Sequence, residues 1–510
     1  MKKTKDISSI ILANKHKIRL LFLIFLGFFT ILSLSFGVTP AFVLALTTWI
    51  GIFIYACFDL SKRIMLATFL VSFFVFLLGG HTVYEYFDMK IHYFISDEIY
   101  IHSNILISLS LIFIFVLYYL IERLKESRKR NLQTAQRNNL IKGISSMLEK
   151  YDIAFKKQEI RKISKTCFLL TYWFWIIEPI EKGIFVFRNS YHQYYVDYKS
   201  IFPFFVRAIG AMSPYFFFIF LATMPSNKKA RYPIILFFLY SVLSLATGRR
   251  IDFVLMLMFI AIYFLIRQYR NQSQENWITR KMLIAFLGIM PILIIILYSF
   301  NYIRSNQASS SGITESKILG FFYQQGFSSS VIRLTEHHST ELSANAYYSF
   351  FGLLKWLRTN SVIKLFYQFP YNFSYIGNSI DFATKGNSLA NSLSYIVLSG
   401  DRYLRGSSVG SCYIAELFHD FKYLGVIIGS SIYGSMIALI DNEFSRKIVR
   451  VFPLAFCFSL VESFLKTPRW NFDIVFTAML DLAMWSAIVI TIILVTMISF
   501  FAKRRKQKEE

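Results

Sequence analysis

The sequence predicts an all-α polytopic membrane protein of about 12 transmembrane helices with one large external loop. Three observations lead there. Hydrophobic residues make up 55% of the 510 positions and charged residues only 17%, against about 25% charged in an ordinary soluble domain. Apolar runs of about 18 to 25 residues recur along the chain, long enough to cross a hydrocarbon layer about 30 Å thick. The basic residues fall on alternate connections between these runs, as the positive-inside rule requires of a correct span assignment.

Residues 1–19 form a basic amino terminus with Lys2, Lys3, Lys5, Lys15, Lys17 and Arg19, followed by an apolar run from Leu20 to Gly37. No small-x-small cleavage site stands out and a second apolar run follows almost at once, so this run reads as an uncleaved first span. The predicted spans are 20–37, 39–58, 64–80, 105–122, 166–187, 202–223, 233–248, 251–267 and 282–300, then 423–440, 451–466 and 475–500. Lys62 and Arg63, a block at 123–165, Lys228, Lys229 and Arg231, then Arg267, Arg270, Arg280 and Lys281, Arg446, Lys447 and Arg450, and the tail 501–510 all fall on the amino-terminal side. Both termini are therefore expected in the cytoplasm, with the chain in the cytoplasmic membrane. The resulting organisation is 1–19 cytoplasmic, 20–300 spans one to nine, 301–408 external loop, 409–500 spans ten to twelve, and 501–510 cytoplasmic tail.

The external loop carries 9 basic residues in 108, whereas the block 123–165 carries 13 in 43, and this asymmetry supports the orientation. The loop is too aromatic for simple disorder and is expected to hold short amphipathic helices, Ala344–Leu357 among them. The stretch Leu365–Ile376 with Pro370 reads as a structured loop, and Ser309–Gly312 as its most flexible point.

The formal charge of +25 follows from this topology and does not signal nucleic acid. Cys57, Cys167, Cys412 and Cys457 are widely spaced and suggest neither a disulfide framework nor a zinc site. The chain has no GxxxxGK[ST] loop, no GxGxxG after a strand, no HExxH and no DxD pair, so chemistry without a metal or nucleotide cofactor is expected.

Charge at the outer side carries the functional reading. Arg249 and Arg250, in SLATGRRIDF, stand at the start of the eighth span, where a helix amino terminus and two guanidiniums suit a pyrophosphate. The alternative is pairing with Asp252 and with lipid head groups. In RYLRGSSVGSCYIAELFHDFKYLG, read as one helix, Cys412, Glu416, His419 and Asp420 share a face opposite Ile414, Leu417, Phe418 and Phe421. Arg402 and Arg405 lie just upstream. A carboxylate or the imidazole suits general-base work on a sugar hydroxyl, and the arginines suit a departing phosphate; an ordinary wet helix face is the plainer reading. Glu178 with Lys182 and Glu462 with Lys466 are spaced to neutralise each other. Arg469 in TPRW is a further phosphate candidate or an interfacial anchor. Arg304 and Arg333 with His337 and His338 are weaker candidates, and Gly425, Gly429 and Gly434 suit close helix packing.

The stretch RGSSVGSCYIAELFHDFKYLGVIIGSSIYG, 405–434, together with TGRRIDF and the large loop in the second half, resembles the Wzy-type oligosaccharide repeat-unit polymerases of O-antigen and capsular polysaccharide synthesis. The resemblance implies a GT-C-like membrane glycosyltransferase, independent of metal, that moves a glycan from undecaprenyl pyrophosphate onto a lipid-linked repeat unit. It implies pyrophosphate contacts for Arg249, Arg250, Arg402, Arg405 and Arg469, and a base among Glu416, His419 and Asp420. A flippase and a chain-length regulator are implied as partners. A lipid-linked oligosaccharide flippase is the alternative of a different class, disfavoured by the missing internal repeat; a ligase-type transferase shares donor and architecture.

Overall fold

The computed structural model describes residues 15–136, 143–189, 193–194, 197–248, 250–270, 276–280, 282, 284, 288–289, 291–295, 316–359, 366, 375 and 377–509. Among them every regular element is helical. The first half supplies α1 (Lys15–Ser35), α2 (Pro40–Phe58), α3 (Ile64–Phe87), α4 (Asp97–Gln136), α5 (Gly143–Arg188), α6 (Phe204–Ala222), α7 (Asn227–Leu245) and α8 (Arg250–Arg270). Short helices follow: α9 (Lys317–Gln325), α10 (Ser328–His337), α11 (Phe351–Thr359), α12 (Ile380–Lys385), α13 (Leu389–Val397) and α14 (Gly400–Leu404). The chain closes with α15 (Tyr413–Phe444), α16 (Val451–Lys466), α17 (Ile474–Met479) and α18 (Leu482–Glu509).

Eight helical stretches are long and apolar enough to cross a membrane: α2, α3, Asp97–Ser127 of α4, α6, α8, α15, Val451–Arg469 and Ile474–Phe501. Large apolar side chains on their outer faces stay exposed, Ile428 at 58% for example, which suits a lipid solvent and no aqueous one. The protein is an integral membrane protein. The predicted spans 166–187 and 233–248 lie in α5 and α7, whose charges set them apart from the eight. Most of the predicted span 282–300, together with Ser309–Gly312 and nearly all of Leu365–Ile376, lies outside the described residues. Ala344–Leu357 is not one amphipathic helix; a 3-10 turn at Tyr348–Phe350 precedes α11 there.

The helices run between two ends of different chemistry. At one end, Arg63 reaches Glu122 at 3.0 Å, Arg161 donates to Thr223 beyond α6, and Arg270 donates to the Phe444 carbonyl at the close of α15. Arginines on carbonyls at helix carboxyl termini answer both the orphan acceptors and the helix dipoles. Asp441 serves the opposite need, accepting the first N–H groups of α3 from Met65 at 2.7 Å and Leu66 at 3.1 Å. At the other end lie Glu85, which accepts from Thr39 N–H and the Tyr100 hydroxyl, and the short helices of 317–404. We call these the basic end and the loop end. Glu178 pairs with Lys182 and Glu462 with Lys466, as the spacing suggests.

The decisive local feature is a break in α15. Lys422 takes φ 53° and ψ −144°, backbone that L residues rarely adopt, and the chain reverses there. The arm 413–421 folds back along 423–444: the Tyr413 and Tyr433 rings lie 5.3 Å apart, although a straight helix would separate them by about 30 Å. Glycines allow the close return. A Cβ on Gly425 would fall 2.4 Å from the Leu417 carbonyl oxygen, and one on Gly429 2.5 Å from the Leu417 side chain. Gly434 does the same for the packing of α15 on α4, where a Cβ would meet the Ile114 carbonyl oxygen at 2.1 Å.

Candidate functional site

The hairpin tip is anchored at the loop end. His102, near the start of α4, meets Glu336 through Nδ1 and the Tyr423 hydroxyl through Nε2, both at 2.7 Å. Tyr413, at the far end of the arm, bonds Ser110 of α4 at 2.5 Å, and Ser110 bonds Ser430 at 2.8 Å. Eight residues along α4 correspond to about 12 Å, so the arm starts that far inside and climbs back to the tip. It is a re-entrant helix, and residues 406–411 are the descending limb that feeds it.

Sequence chemistry explains the limb. Gly406, at φ 93°, ends α14 as a left-handed cap, with its N–H on the Tyr403 carbonyl and that of Ser407 on the Arg402 carbonyl. Asn378 donates to the Tyr403 and Ser407 carbonyls at 2.7 and 3.0 Å. Deeper, the Val409 N–H donates to Ser394 Oγ and that of Gly410 to Ser408 Oγ. Serines thus serve the N–H groups of this non-helical backbone.

Glu416 is 1% exposed. One carboxylate oxygen accepts from the Ser411 hydroxyl at 2.6 Å and the other from the Phe472 N–H at 2.7 Å. The Phe472 carbonyl in turn accepts from the Tyr433 hydroxyl. The peptide of Phe472 is therefore clasped on both sides by α15. Next to it, Asp473 caps α11, accepting from Leu353 N–H at 2.6 Å; burial pushes its pKa up to about 6 against the pull of these donors. Cys412 and Glu416 line the packed interior of the hairpin, so the wet face that periodicity suggests at the outer mouth is wet on neither residue.

His419 and Asp420 form a dyad. Asp420 accepts from His419 Nδ1 at 2.9 Å and from the Ser349 N–H at 2.8 Å. The imidazole is edge-on to Tyr348, and its side chain is 7% exposed while that of Asp420 is 0% exposed. An acid on Nδ1 fixes the ring and leaves Nε2 to act.

The arginines divide into two groups. Arg402 and Arg405 are exposed on and after α14 and make no side-chain hydrogen bond or ion pair among the described residues. Arg469, three residues before the clasped Phe472, donates to Gln325 Oε1 at 2.9 Å and lies over the Phe76 ring. Arg250 begins α8, and two residues on, Asp252 meets Lys466 of α16 at 3.3 Å, which brings α8 to the same end as Arg469. Arg249 and Arg304 lie outside the described residues. Arg333 is 0% exposed, held by His81 Nε2 and the His92 carbonyl at 2.7 Å each, so it reaches no ligand from solvent. His338 pairs with Glu341.

Three groups escaped the sequence reading: the Glu336–His102–Tyr423 relay, the Tyr433 clasp and the Asp473 cap. Their partners are far apart in the chain, and no local spacing signals them.

The family model described as O-antigen polysaccharide polymerase Wzy matches residues 17–505. The chain belongs to this family. No curated protein and no solved structure matches it. Membership makes the protein a polysaccharide polymerase of the membrane, glycosyltransferase-like and acting on lipid-linked oligosaccharide repeat units. For a polymerase of this family, the stretch 405–434 that carries the resemblance is the limb and hairpin described above.

Proposed function

We propose that this polymerase joins undecaprenyl-pyrophosphate-linked repeat units at the outer face of the cytoplasmic membrane, with both termini in the cytoplasm and without a metal ion. The observation that carries the chemistry is the His419–Asp420 dyad at the loop end, the end at which α14 and the residue after it carry Arg402 and Arg405. His419 Nε2 takes the proton of a sugar hydroxyl on the acceptor. That oxygen attacks the anomeric carbon of the donor glycan, the glycosidic C–O bond forms, and the bond from that carbon to the lipid pyrophosphate breaks. The leaving group departs as an anion, and Arg402, Arg405, Arg469, Arg250 and Arg249 neutralise it. Asp420 orients the base. Glu416 positions the limb and the Phe472 segment. Enrichment of lysine and arginine at the basic end supports a cytoplasmic placement for that end. A flippase supplying repeat units and a chain-length regulator are the proposed partners.

The test is the surface-glycan profile of a strain lacking the gene. Single repeat units, returned to a ladder by the wild-type gene and not by His419→Ala or Arg405→Ala, are expected. Loss of surface glycan with repeat units held on the cytoplasmic leaflet would make the protein a transporter instead.

A further inference from the structure

At the basic end, far from the dyad, α5, α6 and α7 enclose a cavity of about 510 Å³ walled by Lys157, Arg161, Lys162, Lys165 and Lys229, with Phe220 in its wall. Five cations face one space, and no carboxylate lines it among the described residues. The acid beside it, Glu159, is paired with Lys162 at 3.0 Å. Arg161 is fixed by its bonds to Thr223, at 3.0 Å through Nε and 2.8 Å through Nη2. Burial, and after it the neighbouring Arg161, Arg267 and Arg270, push the Lys157 ammonium down to about 8. Basic residues that merely mark topology point apart into water; these converge.

The depth of the cavity names the ligand. Phe220 belongs to the last turn of the apolar stretch of α6, which ends at Ala222, so the cavity sits where hydrocarbon gives way to head groups. On α5, Lys162 shares a helix face with positions 166, 170 and 173, and Leu170 and Trp173 are each 66% exposed. An amphiphile with its charge on the lysines would have its chains on Leu170 and Trp173.

We propose that this cavity binds the phosphate of an anionic phospholipid head group, with Lys157, Arg161, Lys162, Lys165 and Lys229 as its ligands and the Leu170 and Trp173 face of α5, which Lys162 shares, as the acyl path. The site is independent of the polymerase reading. It would hold α5 against α7 through a lipid, since these two helices contribute all its charge and α6 contributes Phe220.

The experiment titrates full-length protein in zwitterionic nanodiscs with short-chain phosphatidylglycerol, phosphatidylcholine or inorganic phosphate, following bound lipid by native mass spectrometry. Phosphatidylglycerol binding to the wild type is expected, with a loss of roughly a hundred-fold in Lys157→Gln/Lys165→Gln/Lys229→Gln, as removal of three surface cations implies. Lys229→Gln alone, at an exposed position, is expected to lose about five-fold and guards against misfolding of the triple variant. Equal phosphatidylglycerol binding by wild type and Lys229→Gln would overturn the site. Inorganic phosphate binding as tightly as the lipid would overturn the lipid as its ligand.

Discussion

At position 416 both carboxyl oxygens are engaged, by the Ser411 hydroxyl and the Phe472 N–H, whereas among the described residues His419 hydrogen-bonds through Nδ1 alone, to Asp420. A base needs a free lone pair, so the two residues answer differently to an isosteric amide. Glu416→Gln keeps an acceptor for Phe472 and turns its NH2 to the Ser411 oxygen; polymer yield within about ten-fold of wild type is expected, because both partners keep a hydrogen bond. His419→Gln removes the proton acceptor, and polymerisation should fall by about 100-fold or more. Glycan ladders from matched expression levels decide between them, and the reverse order would make Glu416 the base. Periodicity had put these residues on one face and left the base open among them. Only the partner of each atom separates them, and Phe472 lies too far along the chain for any spacing rule to connect it to Glu416.

Among the elements, α15 departs most from its sequence. Nothing in HDFKYLG announces a break: no proline is present, and the nearest glycine, Gly425, serves the return of the chain and not the turn itself. The strained residue is Lys422, at φ 53°. Its backbone region is open to glycine at little cost, so Lys422→Gly is expected to leave stability unchanged or raise it by about 1 kcal/mol. In an unbroken helix the same change would cost about 1 kcal/mol. A thermal unfolding comparison in detergent reads the sign, and destabilisation by Lys422→Gly would argue for a continuous helix. Close packing at Gly425, Gly429 and Gly434 was legible from the sequence. That two of the three pack the hairpin on itself, and only Gly434 serves α4, was not, because a reversal inside an apolar run leaves its hydropathy unchanged.

For the molecule as a whole, the apolar runs made the all-helical membrane class readable, since lipid imposes them. α4 and α5 were legible only in part: the block 123–165 reads as a loop, yet Arg123–Gln136 and Gly143–Lys165 continue their helices beyond the apolar stretches. Charge on a helix that has left the hydrocarbon looks the same as charge on a loop. The orientation itself is testable with the four cysteines replaced by serine. Arg402→Cys is expected to react with a membrane-impermeant maleimide in intact spheroplasts, and Lys162→Cys only after permeabilisation. Both positions are exposed, so the opposite pattern would invert the topology.

The clasp on Phe472 also sets a clock on biogenesis. Glu416 leaves the ribosome 56 residues before the N–H that donates to it, an interval of roughly 3 to 11 seconds at about 5–20 residues per second. Throughout it the re-entrant arm holds an acid with half its native partners missing, so the nascent chain keeps that segment wet or protonated until α16 has been threaded. The clasp is consequently incomplete until residue 472 has been made, after all but one of the apolar spans. A ribosome that stalls before residue 472 releases a membrane-inserted chain with most of its spans and no working site.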